Sequence, residues 1–296
     1  MNKTGGPLAF AFMLLGNSVL ALGPWLVRLA DVGPVATGAW RLILAMPFLY
    51  VVARGVGQAP HWPRRALIWM IVGGAMFYAL DLAAWNAAIL RTKLGNSTLF
   101  GNTGSIVFAV YGLVIASRMP SPKQLIALSL ALAGGALLMS GSYELSERHF
   151  FGDHLALVAG RFYGGYLIFV EKVRNSLQPM PLLFLSTLFS IPPLILISFG
   201  LGEAFWPTNW TPLLIFALTS QVIGQGLLVY SIGVFPPLVV GLALLTQPII
   251  AAAVGWMVFD ETLTATDIFG AIAIAAGLVL VRLPDRGLRR RKAEPS

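Results

Sequence analysis

Any chemistry in this chain has to be done with few charged side chains, because only Arg41, Asp81 and Arg161 fall well inside its apolar stretches. An ionisable group at membrane depth costs about 2.5–3.5 kcal/mol on insertion scales, so each of the three is a candidate structural or coupling charge. Asp81 is the one carboxylate among them. It lies in Phe77-Tyr78-Ala79-Leu80-Asp81-Leu82-Ala83-Ala84-Trp85-Asn86, where helical spacing puts Tyr78, Asp81 and Trp85 on one face. Two aromatic rings flanking a carboxylate can hold an ammonium group and an apolar side chain together, by ion pairing and cation–π attraction. The competing role is an internal ion pair, with Asp81 neutralising Arg41 or Arg161 and stapling helices together.

The uncharged polar residues extend this set. Gly95, Thr98, Asn102 and Ser105 fall along one helical face. Thr98 and Ser105 read as a small-residue packing seam, whereas the Asn102 amide can bond a carboxylate or an amine inside a cavity. Asn86 is expected nearer the outer surface. Tyr163 and Tyr166 are three apart and share a face beside Arg161, and Gln221 and Gln225 are four apart and stack on one face. Gln247 precedes Pro248, whose missing N–H frees a backbone carbonyl. The expected binding set is therefore Tyr78, Asp81, Trp85, Asn102, Tyr163, Tyr166, Gln221, Gln225 and Gln247. There is no cysteine, and the three histidines sit in or beside loops at positions 61, 149 and 154. No metal site and no cofactor site is visible, and disulfides and cysteine nucleophiles are excluded.

The elements that must position these residues are apolar helices. Ten stretches fill almost the whole chain: 7–28, 34–53, 66–90, 95–116, 122–141, 154–173, 180–200, 211–232, 237–258 and 266–283. About 20 apolar residues cross a hydrocarbon core. The composition, 57% hydrophobic and 11% charged, has no soluble reading, since a soluble domain carries about 25% charge. Barrel strands would show alternating stretches of about ten residues, and these runs are continuous and twice as long. The reading is an all-α polytopic membrane protein. The net charge of +8 reports orientation rather than a nucleic-acid partner: with the N-terminus cytoplasmic, fourteen Lys and Arg fall on cytoplasmic segments against four on outer loops. Both termini are then cytoplasmic, and the basic run Arg286–Lys292 can touch anionic lipid heads.

Sliding the chain by 143 residues aligns 99–138 with 242–281, with eight identities including Thr103/Thr246, Gly112/Gly255 and Gly134/Gly277. A shift near 145 pairs Pro34 with Pro179 and Pro47 with Pro192. The expected division is therefore 1–145 and 146–296, two five-helix repeats. Five is odd, so the second copy must enter the membrane the other way round, and inverted repeats are the usual architecture for alternating access about a midplane site.

The chain resembles the ten-span drug/metabolite transporter (DMT) superfamily and, within it, the EamA-type exporters. The resemblance rests on Phe259-Asp260-Glu261-Thr262-Leu263-Thr264 followed by Gly270 and Gly277, and on Pro34 followed by Arg41. The first half departs where Ser117-Arg118-Met119 replaces the acid, although Gln124 and Gly134 fit. Among relatives it resembles the aromatic amino acid exporters of the YddG type. What the resemblance and the inverted halves imply is a secondary transporter in the bacterial inner membrane, exporting small neutral metabolites, amino acids first, including aromatic ones. Its partners would be a small-molecule cargo and lipid, and nothing demands more than a monomer. Quaternary amines or sugars are the alternative cargoes. Highly charged cargo would call for several cavity cations. An intramembrane enzyme would need paired acids, a Ser/His pair or a zinc motif, none of which the sequence carries.

Overall fold

The computed structural model describes residues 5–92, 94–116, 120–140, 149–259 and 264–283, and among them all regular structure is helical. The first half comprises α1 (Pro7–Leu20), α2 (Gly23–Leu29), α3 (Pro34–Gly55), α4 (Arg65–Ile89), α5 (Leu94–Gly101), α6 (Thr103–Ile115) and α7 (Pro122–Ser140). The second comprises α8 (Phe150–Arg174), α9 (Pro179–Gly200), α10 (Thr211–Phe216), a π-helical turn (Ala217–Gly224), α11 (Gln225–Val234), α12 (Pro237–Leu244), α13 (Gln247–Phe259) and α14 (Ala265–Arg282). Proline opens α1, α3, α7, α9 and α12, where its missing N–H is one of the donors a helix start leaves unpaired in any case. The chain is a multi-pass membrane protein. Stretches Pro7–Leu29, Pro34–Gly55, Arg65–Ile89, Pro179–Gly200 and Thr211–Val234 are each long and apolar enough to cross a bilayer.

Three expected spans are not continuous, the first breaking at Ala21–Leu22 into α1 and α2. The fourth breaks at Asn102 into α5 and α6, and the ninth breaks at Leu245–Thr246 into α12 and α13. Pro248, at the start of α13, has no N–H to return to the preceding turn. The acid-then-glycine signature is only partly described: Asp260–Leu263 lie outside the described residues, as do Ser117–Met119. Thr264 does close a capping box with Asp267 at the start of α14.

The two halves repeat the same local devices. From α1/α8 to α7/α14, matched elements begin 143 to 146 residues apart. The chain leaves α3 through Gly57 (φ 70°) and α9 through Gly202 (φ 66°), both in the left-handed region that favours glycine. The next residue then caps the other helix. Gln58 Oε1 accepts from Met180 N at 3.3 Å, at the start of α9. Glu203 accepts from Val35 N at 3.2 Å and Ala36 N at 2.8 Å, at the start of α3. The α7–α14 crossing is reciprocal too. A Cβ on Gly134 would lie 2.6 Å from the Gly270 carbonyl, and one on Gly277 would lie 2.6 Å from the Ala127 carbonyl.

Glu203 also accepts from Ser198 Oγ at 3.1 Å, so one carboxylate serves three donors and complements the positive end of α3. We expect Glu203→Ala to cost about 1–2 kcal/mol, as for loss of a strong N-cap. The melting temperature in detergent should fall by a few degrees. Glu203→Gln, which copies Gln58, should recover most of it. An unchanged melting temperature for the alanine variant would show that the cap carries no weight. Nearby, Asp31 accepts from Thr208 Oγ1, from Asn209 N at 2.9 Å and from Thr208 N at 2.8 Å. The Thr208 hydroxyl and these amides hold its carboxyl below the usual 3.8.

Candidate functional site

Beside the fourth-span break lies a cleft between the two halves, with about 720 Å³ of empty space that includes its open mouth. Its wall takes Arg41 from α3, Tyr78, Asp81 and Trp85 from α4, Asn102 from the α5–α6 break and Tyr163 from α8. Gln225 at the start of α11 and Gln247 at the start of α13 add to the polar lining, as do Ser220 and the expected seam residues Thr98 and Ser105. Tight helix contacts frame it. A Cβ on Gly104 would lie 3.1 Å from Gly164 N and closer still to the Gly160 carbonyl, so α6 and α8 touch backbone to backbone.

A hydrogen-bonded chain crosses from one half to the other behind the cleft. Arg41 Nη2 donates to Tyr78 Oη at 2.9 Å, Tyr78 Oη to Gln221 Oε1 at 2.7 Å, and Gln221 Nε2 to Thr187 Oγ1 at 2.9 Å. The Tyr78 ring stacks on Tyr166 with centroids 4.4 Å apart, and the Arg41 guanidinium lies 4.8 Å over the Phe216 ring. Arg41 is therefore held by an aromatic face and a phenol, and the charge of Asp81 reaches it only through space. Among the described residues Asp81 has no hydrogen-bond or ion-pair partner, although it is 8% exposed. The internal staple between Asp81 and Arg41 is thus not formed as a direct pair.

Several expectations need correction. Arg161 is exposed on α8 and does not line the cleft, which the opposite face of α8 meets through Tyr163. Gln221 joins the buried chain rather than the cleft wall, and Gln225 meets the cleft. Tyr166 is fully buried and supports the wall by stacking on Tyr78 rather than lining it. Asn86 is fully buried near the end of α4, and its Nδ2 donates to the Pro34 carbonyl at the start of α3 at 3.0 Å. Asn102 Nδ2 donates to the Thr98 carbonyl at 2.8 Å, which leaves its amide oxygen and one N–H for the cleft. Phe216 and Thr187 were missed, since a phenylalanine and a threonine in apolar runs carry no sequence signal of a charge or amide to be held.

Residues 150–283 match the EamA-like transporter family. Over 282 residues the chain is 26% identical to an uncharacterized transporter of Archaeoglobus fulgidus, covering 89% of this chain and 93% of the relative. It is also 26% identical over 206 residues to the threonine/homoserine exporter RhtA of Salmonella typhimurium, covering 68% of each. A solved crystal structure shares the fold with TM-score 0.74 at 13% identity, covering 96% of this chain and 98% of the other.

Proposed function

We propose that this chain is an EamA-type secondary transporter of the DMT superfamily that exports small neutral metabolites, amino acids first, across the bacterial inner membrane. The observation that carries the reading is the cleft itself, lined from both halves and holding an unpaired carboxylate beside aromatic rings and amides. The match of residues 150–283 supports transport over catalysis, and the threonine/homoserine exporter among the relatives supports amino acid cargo. Trp85 and Tyr163 give an apolar side chain, aromatic ones included, a surface to pack on.

Alternating access by two inverted five-helix repeats, 1–145 and 146–296, fits the reciprocal contacts of the fold. Gln58 caps α9 as Glu203 caps α3, and Gly134 meets α14 as Gly277 meets α7. In each pair the matched helices run antiparallel, as a two-fold axis lying in the membrane plane requires. Tyr78 and Gln221, 143 residues apart, bond directly to each other, as equivalent positions do where they meet on such an axis. Cytoplasmic termini follow from the charge bias, with monomeric protein and lipid as the only standing partner.

Proteoliposomes loaded with radiolabelled threonine, phenylalanine or methionine should release at least one of them faster than protein-free vesicles. Absence of protein-dependent flux for every neutral amino acid, with flux for a quaternary amine or a sugar, would move the cargo to that class.

A further inference from the structure

The cleft carries two opposite charges that the fold keeps apart. Arg41 is 3% exposed, and its guanidinium is drawn toward Tyr78 and Phe216 while its Nε has no partner. Asp81, one helical turn from Tyr78, is left without a hydrogen bond among the described residues. Two buried opposite charges that could neutralise each other but do not are held apart at a desolvation cost, which a ligand can relieve. A cation alone would satisfy Asp81 and leave Arg41 short, and an anion alone would do the reverse. A buried polar group left unpaired is what lets a site reject an analogue.

Resting on the transport reading above, we infer that the cleft selects zwitterions: Asp81 takes the ammonium of a free amino acid and Arg41 takes its carboxylate. Arg41 suits a carboxylate because its planar fork still has unused N–H groups. The Tyr78–Gln221–Thr187 chain is the positioning element that aims the guanidinium, since it fixes one Nη and ties it to the second half. Gln225, whose Oε1 is buried without a partner, offers a further acceptor to the ammonium. Asn102 and Gln247 are neutral, so the site holds one charge of each sign and no more.

The test compares binding of an amino acid with that of its two half-masked forms. Purified protein in detergent is titrated with threonine or phenylalanine, with the methyl ester that lacks the carboxylate, and with the N-acetyl form that lacks the ammonium. Thermal shift or calorimetry reads the apparent affinity. The free amino acid should bind at least tenfold more tightly than either masked form. Arg41→Gln should bring the ester to within about threefold of the parent while the N-acetyl form stays excluded, and Asp81→Asn should do the converse. Arg41→Lys, which keeps the charge, should retain part of the discrimination against the ester and guards against a folding defect in the glutamine variant. Both variants weakening all three ligands equally, or an ester or simple amine binding as well as the parent, would overturn the zwitterion assignment. Amino acid flux in liposomes without this discrimination would defeat only the assignment. Absence of both flux and binding would defeat the transport reading with it.

Discussion

Asp81→Asn should cut export at low cargo concentration by about ten- to a hundredfold while leaving the protein as stable as before, or more so. The loss follows from one charge-assisted hydrogen bond to a cargo ammonium, worth about 1.5–3 kcal/mol, with each 1.4 kcal/mol a factor of ten. The stability half follows from what Asp81 lacks. Nothing among the described residues bonds its carboxylate, so the amide forfeits no protein contact and removes a buried charge. A functional carboxylate left uncompensated in the resting protein is the expected form of a stability–activity trade-off. Tyr78→Phe offers the contrast: it breaks the chain between Arg41 and Gln221 and should lower both transport and melting temperature. A strongly destabilised Asp81→Asn protein would mean that the carboxylate is a staple after all.

Gly104→Val should be the most damaging single change to folding. The added Cβ would overlap the Gly160 carbonyl and press on Gly164 N and Tyr163 Cβ, both 3.1 Å away. Overpacking usually costs about 1–3 kcal/mol and occasionally more. Here the obstacle is backbone, which cannot rotate away, so a loss of about 3 kcal/mol is expected, read as a large fall in monodisperse yield and melting temperature. Whatever folds should transport poorly, because relieving the clash moves α8 and with it Tyr163 on the cleft wall. Gly135→Ala is the control. Its Cβ would meet nothing within 4 Å, and replacing a helical glycine by alanine is worth up to about 1 kcal/mol in the helix's favour. A Gly104→Val protein melting like the parent would show that α6 and α8 have room to separate.

The sequence alone settles that the chain is helical and membrane-spanning, because long unbroken apolar runs leave lipid no other way to satisfy the backbone. It also places the helix starts, through prolines such as Pro7, Pro34, Pro179 and Pro237, since that preference acts within a single turn. The Tyr78–Asp81–Trp85 face is legible for the same reason: helical spacing is local. Tertiary structure alone decides what each face meets. Arg41 could have paired with Asp81 on sequence grounds, and the fold instead gives it Tyr78 and the ring of Phe216, a residue 175 positions away in the chain. Arg161 could have faced inward, and the packing of Gly160 and Gly164 against α5 and α6 turns it out. Periodicity says which residues stand together on a helix; which charges remain unpaired depends on neighbours brought in from the other half of the chain.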